Sequence, residues 1–159
     1  MSSPSETPKR GQRKESLILI VDDHRLSREL FKTYLANAGY DTIEAKDGKE
    51  ALDRLAEHTP DLVLLDLIMP VLDGYEVCRR IKEDRHTTLL PVIMVTGLED
   101  FDAKMRALTL GADDYINKPI NERELLMRVR NHLRIKHLTD QLENAENVII
   151  TLVRTVEAK

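Results

Sequence analysis

The chain has 159 residues, of which 42% are hydrophobic and 33% are charged, and its formal net charge is −4. This length accommodates one domain with an appendage, and the negative charge gives no reason to expect direct nucleic-acid binding. No apolar run reaches the ~20 residues of a membrane helix, and the N-terminus lacks the apolar centre of a signal peptide. The single cysteine, Cys78, agrees with a reducing compartment. We therefore expect a cytoplasmic protein with no membrane segment.

Residues 1–15 are rich in Ser, Pro and charged side chains, and no apolar residue follows Met1 there. Such a segment cannot offset the entropy of ordering, so we predict a disordered tail. Its cations could contact an acidic partner, but charge runs of this kind are usually solvated.

From residue 17 onwards, short apolar segments alternate with amphipathic ones. Three of the apolar segments are continuous, which is typical of strands in a parallel sheet covered by helices on both faces. We predict five strands, at residues 17–21, 42–45, 62–65, 92–95 and 115–117. Five βα units with right-handed crossovers fit an α/β, flavodoxin-like, doubly wound parallel sheet with strand order 2-1-3-4-5.

Turn and capping residues mark the helices between these strands. Asp47-Gly48 and Asp73-Gly74 are predicted to start the second and third helices, because Asp is a favoured N-cap residue. Gly39 follows the first helix, where a helix commonly ends, and the fourth helix is expected to end before Gly111. The first helix is predicted to present one apolar face, formed by Leu26, Leu30, Tyr34, Leu35 and Ala38.

Polar residues lie at the carboxyl ends of four predicted strands. The pair Asp22-Asp23 follows the first strand, Asp66 closes the third, Thr96 follows the fourth and Lys118 follows the fifth. In open α/β sheets, ligands bind in the crevice at the carboxyl ends of the strands. We therefore expect these five side chains to converge on one site.

Three carboxylates at one edge would raise one another's pKa values and resist joint ionisation. A divalent cation relieves this repulsion, and oxygen ligands with room left for water and phosphate suit Mg²⁺. Lys118 can hold a phosphoryl oxygen, and the hydroxyl of Thr96 can donate a hydrogen bond to another. The chemistry that these groups predict is phosphoryl transfer onto a carboxylate, because Asp can form an acyl phosphate.

These motifs resemble the receiver domain of two-component response regulators. The resemblance covers residues 16–135 and rests on several elements in a fixed order: Asp22-Asp23, Asp66 with Met69-Pro70 and Gly74 downstream, Thr96-Gly97, and Tyr115 before Lys118-Pro119. It implies that the chain takes its phosphoryl group from a histidine kinase or a phosphotransfer protein.

The resemblance implies a role for each acidic residue. Asp66 is the expected nucleophile and phosphoacceptor, although an Asp at a strand end could simply cap the following turn. Asp23 is expected to bind Mg²⁺ directly and Asp22 to act through water or as support, and one of this pair could also cap the first helix. The backbone carbonyl of Ile68 is expected to contribute a further metal ligand.

The resemblance also implies a conformational switch. Lys118 should balance the carboxylates and later hold phosphate, directed inward by a cis bond before Pro119. Thr96 and Tyr115 are the expected switch pair, in which the hydroxyl moves toward the phosphoryl group and the ring fills the space left behind. Tyr115 could instead be an inert aromatic residue at the sheet edge.

A signalling receiver, which is not an enzyme, competes with one alternative, a stand-alone Mg²⁺-dependent phosphatase that uses an aspartyl phosphate. Such phosphatases typically carry a second acid two residues after the nucleophile, where this chain has Ile68. Ile68 and Leu98 are both apolar and cannot orient an attacking water, so we expect the acyl phosphate to be long-lived.

The segment from Ile120 to Lys159 contains neither Gly nor Pro. Asn121 and Glu124 form a capping-box-like start, and a helix over residues 121–157 would be ~55 Å long. The residues expected to serve the domain core are Leu125, Leu126, Val129 and Leu133.

Beyond the core residues, the helix carries a heptad repeat. The a positions are Ile135, Leu142, Ile149 and Val156, and the d positions are Leu138, Ala145 and Leu152. Most a positions are β-branched and most d positions are Leu, which favours a parallel two-stranded coiled coil, so we predict a homodimer through residues 135–156. A single amphipathic helix packed on a missing domain is the alternative.

We therefore divide the chain into a tail (1–15), a receiver (16–134) and a coiled-coil linker (135–159) toward an output domain. Residues 147–159 resemble the entry helix of HD-GYP domains, which are cyclic-di-GMP phosphodiesterases. A diguanylate cyclase is the second candidate for the output. No helix-turn-helix segment follows the receiver, so no DNA-binding output is expected within these residues.

Overall fold

The computed structural model describes residues 16–97 and 101–158. The predicted disordered tail and Leu98, invoked for the lifetime of the acyl phosphate, lie outside these residues. Strands and helices alternate strictly, and their bounds are β1 Leu17–Val21, α1 Arg25–Asn37, β2 Asp41–Ala45, α2 Gly48–Glu57, β3 Leu62–Asp66, α3 Gly74–Glu83, β4 Val92–Thr96, α4 Phe101–Thr109, β5 Asp114–Asn117 and α5 Glu122–Glu157.

The five strands form one parallel sheet in the order β2-β1-β3-β4-β5. This confirms the predicted flavodoxin-like fold. Val21 pairs with Leu65, and Asp66 pairs with Val95, so the strands end level with one another. The carboxyl ends of β1, β3, β4 and β5 therefore meet at one edge of the sheet.

Helices cover both faces of the sheet, and successive strand residues face opposite sides. In β1, Ile18 packs in the cluster that includes residues of α1 and α5. Its neighbour Leu19 packs in the cluster that includes residues of α2, α3 and α4. Because neither face is wet, both residues must be apolar, which explains the continuous apolar strands.

The helix ends follow the capping residues of the sequence. The side chains of Asp47, Asp73 and Asn121 each accept a hydrogen bond from the backbone N–H three residues later, at 2.8, 2.9 and 3.1 Å. Gly39 and Gly111 adopt φ values of 87° and 97° after α1 and α4. These left-handed conformations favour glycine, and the predicted helix boundaries are confirmed.

The predicted apolar face of α1 is wrong in part. Phe31 and Leu35 are buried, whereas Leu26 and Leu30 are 83% and 41% exposed. Successive residues of a helix are rotated by ~100°, so a face that passes through Phe31 and Leu35 turns Leu30 away from the sheet. The sequence pattern gave weight to the two leucines and overlooked the phenylalanine.

Helix α5 has 36 residues, and its two parts have different surroundings. In the first part, Leu125 and Val129 are buried against the sheet. In the second part, Ile135, Leu138 and Leu142 are exposed. At ~100° per residue, these three residues are rotated by about 100° to 160° from the centre of the buried pair, so they lie off the buried face. None of the described helices is both long enough and apolar enough to cross a membrane.

Polar contacts also fix the first part of α5 to the sheet. Arg128 Nη1 donates to both carboxylate oxygens of Asp114 on β5, at 2.8 and 2.9 Å. His132 Nε2 lies 3.0 Å from the same carboxylate. Burial raises the pKa of Asp114, but the hydrogen bonds from His132 and Arg128 outweigh burial and hold the pKa below its ordinary value.

Candidate functional site

Three carboxylates converge at the carboxyl edge of the sheet. One oxygen from each of Asp22, Asp23 and Asp66 lies within 4.8 Å of the other two. Asp22 and Asp66 are 1% and 4% exposed, so water cannot solvate their charges fully. The local topology explains the convergence, because β1 and β3 are adjacent and end at the same level.

Gly74 allows α3 to begin directly behind Asp66. A Cβ atom at this glycine would collide with the carbonyl oxygen of Asp66 and would lie 2.8 Å from the Cα atom of Leu67. The N–H of Gly74 donates to the carbonyl of Leu67 at 3.0 Å. The glycine of the sequence motif thus permits a tight return of the chain that fixes the end of β3.

Asp22 also organises the start of α1. Its Oδ1 accepts from the backbone N–H of His24 at 2.8 Å, and its carbonyl oxygen accepts from Arg28 Nη1 at 2.7 Å. The N-cap residue of α1 is His24, and α1 has no side-chain cap hydrogen bond, so the capping role foreseen for one of the two aspartates is not observed. Sequence reasoning missed Arg28, because a contact six residues away across a loop and a helical turn leaves no local pattern.

Lys118 lies between two of the carboxylates. Its Nζ is 3.5 Å from Asp22 Oδ2 and 3.6 Å from Asp66 Oδ1. Its backbone N–H donates to the carbonyl of Thr96 at 2.8 Å, and the Lys118–Pro119 peptide bond is cis. The cation therefore reaches the acidic cluster from the end of β5.

The electrostatic environment raises the pKa of Asp66 to about 6. Burial is the largest cause, and the negative charges of Asp22 and Asp23 act in the same direction. Lys118 and the backbone N–H of Ile68 oppose the rise. The carboxylate is thus ionised at neutral pH but under-neutralised, which favours the binding of an additional cation.

The residues present fit a magnesium ion. Among the described residues, no hydrogen-bond donor reaches the buried Oδ1 of Asp23. An unsatisfied buried carboxylate oxygen is costly, and a metal ligand bond would satisfy it. Three carboxylates supply hard oxygen donors of the kind that Mg²⁺ prefers. Ile68 lies two residues after the end of β3 and is 63% exposed, and its backbone N–H donates to the Asp66 carboxylate.

Thr96 and Tyr115 lie on neighbouring strands. Thr96 ends β4 and is buried, and Tyr115 on β5 is partly buried against the cluster under α3 and α4. Tyr115 pairs with Met94, two residues before Thr96. A further cation, Lys104 of α4, places its Nζ 4.7 Å from the centroid of the Tyr115 ring. Sequence reasoning missed Lys104, because only the packing of α4 beside β5 brings the two together.

Comparison with known proteins agrees with this geometry. Residues 18–130 match the family of response regulator receiver domains. The chain belongs to this family. The match covers the sheet and the buried part of α5, and it ends before the exposed heptad repeat.

Curated relatives share this receiver. The chain is 45% identical over 117 residues to the probable transcriptional regulator ycf27 of Porphyridium aerugineum, covering 74% of this chain and 48% of the relative. For ycf27 of Guillardia theta the identity is 44%, with coverage of 74% and 45%. The chain thus spans about half the length of these curated relatives.

Three solved structures share this fold. The signal receiver domain of a signal transduction histidine kinase from Syntrophus aciditrophicus has a TM-score of 0.71 and 38% identity, covering 75% of this chain and 90% of that one. The chemotaxis response regulator CheY4 of Vibrio cholerae has a TM-score of 0.71 and 28% identity, with coverage of 74% and 98%. NtrX from Brucella abortus has a TM-score of 0.76 and 30% identity, with coverage of 82% and 29%.

Proposed function

We propose that this receiver accepts a phosphoryl group on Asp66 from a histidine kinase or a phosphotransfer protein. The observation that carries the proposal is the buried Asp66 carboxylate, set among two further carboxylates and the Lys118 ammonium. The protein acts as a signalling receiver in the cytoplasm and turns over no substrate of its own.

The step is a displacement at phosphorus. A carboxylate oxygen of Asp66 attacks the phosphorus of the donor's phosphohistidine, an acyl phosphate bond forms, and the bond to the imidazole nitrogen breaks. Lys118 holds a phosphoryl oxygen, and the Thr96 hydroxyl donates to another. Catalysis of this kind consists mainly of positioning and charge neutralisation, which requires no general base because Asp66 is already ionised at neutral pH.

Asp22, Asp23, Asp66 and the backbone carbonyl of Ile68 would hold the Mg²⁺ ion. When bound, the ion offsets the negative charge of the carboxylates and of the incoming phosphoryl group. The orphaned Oδ1 of Asp23 supports its role as a direct ligand. Asp22 would act on the ion through a water molecule, because its Oδ1 already accepts a hydrogen bond from the backbone N–H of His24.

Substitution of Asp66 tests the acceptor role. Asp66→Asn keeps the shape of the side chain but removes the nucleophile, so labelling by acetyl phosphate with Mg²⁺ should be lost. Asp53→Asn, which changes an exposed aspartate of α2, is the matched control and should label as the wild type does. Labelling that persists in folded Asp66→Asn protein would refute the assignment.

The raised pKa of Asp66 gives a second readout that needs no phosphodonor. The folded state binds this proton more tightly than the unfolded state, whose ordinary value is 3.8. Without Mg²⁺, this group therefore favours folding below pH ~4, and that contribution is lost as the pH rises through about 6. Asp66→Asn should remove this decline and be more stable at pH 7 in urea unfolding. If mutant and wild type were equally stable at pH ~4 and at pH 7, the pKa of Asp66 would not be raised in the folded state.

The phosphatase alternative is not favoured. The family match is to a signalling domain. Ile68 stands where such phosphatases carry a second acid. Turnover of a generic phosphomonoester, measured beside single labelling by acetyl phosphate, separates the two functions. Multiple turnovers per chain would favour the enzyme.

We further propose that residues 16–134 form the receiver and that 135–159 form a linker to an output domain. The exposed stripe from Ile135 to Val156 has no partner within the described receiver. Exposure of apolar surface costs about 25 cal/mol per Å², which parallel pairing of two copies would recover. Pairing sets two receivers at the same end, where phosphorylation can alter the register of the helices.

The output domain that we infer is of the HD-GYP class, with a diguanylate cyclase as the second candidate. The inference rests on the resemblance of residues 147–159 to the entry helix of such domains. The curated relatives are about twice as long as their matched portion, which supports a further segment beside the receiver. The coding sequence beyond Lys159 decides between these candidates.

A further inference from the structure

Two cations fix α4 to its neighbours through aromatic rings. Lys104 Nζ lies 4.7 Å from the ring centroid of Tyr115 on β5, and the Arg106 guanidinium lies 4.2 Å from the ring centroid of Tyr75 on α3. Among the side chains described for α4, only Ala107 is buried. Two cation–π contacts thus join α4 to β5 and to α3.

We propose that Lys104 is a positioning residue that holds the Tyr115 ring in its resting, partly exposed orientation. This inference rests on the proposed phosphoacceptor function and adds a residue that sets the balance of its switch. The ammonium attracts the face of the ring, and such contacts hold while the ring stays within ~6 Å of the cation.

The register of β4 and β5 indicates where the Tyr115 ring can move. Tyr115 pairs with Met94, so Thr96 is its diagonal neighbour on the same face of the sheet. Diagonal neighbours lie within reach of an aromatic side chain. If the Thr96 hydroxyl moves toward a phosphoryl group, the ring can enter the space left behind. That movement draws the ring away from the Lys104 ammonium and breaks the contact.

The contact therefore favours the unphosphorylated state. Loss of a partly exposed cation–π contact changes a two-state equilibrium by a factor of ~2–5. Without the cation, more of the resting protein should hold the ring inward. Because the ring-inward state is the one in which the Thr96 hydroxyl is placed to meet the phosphoryl group, we expect labelling to proceed from that state and its rate to rise by a similar factor.

The variants Lys104→Gln, Lys104→Arg and Arg106→Gln test this inference. The chain has four tyrosines, so 3-fluorotyrosine labelling gives few ¹⁹F resonances, and Tyr115→Phe assigns the one that matters. In the wild type, beryllofluoride with Mg²⁺ defines the resonance position of the phosphorylated state. Rates of labelling by acetyl phosphate are measured for each variant in parallel.

In the resting protein, Lys104→Gln should move the Tyr115 resonance toward the beryllofluoride position and raise the labelling rate ~2–5-fold. Lys104→Arg should match the wild type, because guanidinium also stacks on aromatic faces. Arg106→Gln removes the other cation–π contact of α4 and should leave the Tyr115 resonance in place.

A Lys104→Gln protein that matches the wild type in both readouts would overturn the inference. So would an Arg106→Gln protein that moves the Tyr115 resonance equally, because the effect would then be a general loosening of α4. Failure of the wild type to label would count against the proposed function instead. The resting resonances of the Lys104 variants need no phosphate, so the two failures can be told apart.

Discussion

The two parts of α5 form one continuous helix, but the first part packs against the sheet and the second part exposes its apolar side chains. Residues 122–133 pack Leu125 and Val129 into the core and hold Asp114 through Arg128 and His132. Residues 134–157 expose their apolar side chains to solvent, and most of the a and d positions lie on the other side of the helix. Helix formation thus depends on local propensity and capping, whereas the partner of each part depends on which side its apolar residues face.

The largest expected effect is loss of the proposed dimer, produced by changes in the second part of α5 alone. Leu138→Glu with Leu152→Glu puts two charges per chain into the proposed seam, and an unpaired buried charge costs several kcal/mol. Sedimentation should therefore show a dimer at tens of micromolar (~10–50 µM) for the wild type and a monomer for the double variant, which still labels at Asp66. Asn144→Glu with Thr151→Glu adds equal charge outside the seam and should stay dimeric. A monomeric wild type would rule out the coiled coil.

Matched leucines sharpen the contrast between the two parts. Leu125→Ala should lower the free energy of unfolding of the receiver by about 2–5 kcal/mol, because it opens a cavity in the core. Leu142→Ala should change it by less than about 0.5 kcal/mol, since this residue is 66% exposed in a single copy. Urea unfolding followed by tyrosine fluorescence, at concentrations where the protein is monomeric, measures both. Similar costs for the two variants would contradict the division of α5.

Matched aspartates compare the polar contacts of the two parts. Asp114→Asn should cost about 1–3 kcal/mol, because a partly buried carboxylate loses charged hydrogen bonds to Arg128 and His132. Asp140→Asn breaks a pair with Lys136 within one helix, where Nζ–Oδ distances are 2.6 and 2.8 Å. Such a pair contributes only about 0.3–0.5 kcal/mol. The comparison fails if Asp140→Asn proves the more costly change in urea unfolding.

The smallest expected effect is a pH dependence of the first part. The folded-state pKa of Asp114 lies below its ordinary value, so its contribution to stability is present above the unfolded pKa. It is lost as the pH falls through the folded value. The difference in unfolding free energy between wild type and Asp114→Asn should therefore be constant near neutral pH and shrink below pH ~4. A difference that grows with acidity would show that Asp114 is not stabilised as a carboxylate.

Local patterns predicted most of the fold. Continuous apolar strands, the Asp47 and Asp73 caps and the end of α1 at Gly39 are confirmed, because each depends on residues adjacent in sequence. The face of α1 was missed, since leucines at two possible positions make the periodicity ambiguous and only packing selects Phe31. Periodicity is least informative where apolar residues occur on more than one side of a helix.

The acidic cluster could be predicted because topology places strand ends together. The sheet order brings Asp22 and Asp66 to one edge, and the sequence already showed both at strand ends. The contacts of Arg28 with Asp22 and of Lys104 with Tyr115 could not be predicted, because each joins elements whose relative rotation no local pattern specifies. The residues that tune a site are therefore harder to infer than those that form it.

The second part of α5 is long enough to turn a small tilt at its base into a large displacement at its far end. The 24 residues from Arg134 to Glu157 span ~36 Å at ~1.5 Å per residue. A tilt of only ~5° at the base would displace the far end by ~3 Å. Packed atoms lose much of their attraction when they separate by ~1 Å, so this displacement is enough to disrupt a packed interface. Arg128 and His132 fix α5 to Asp114 on β5, three residues before Asn117 at the carboxyl edge of the sheet. A small movement of β5 would therefore be amplified at the far end of the helix.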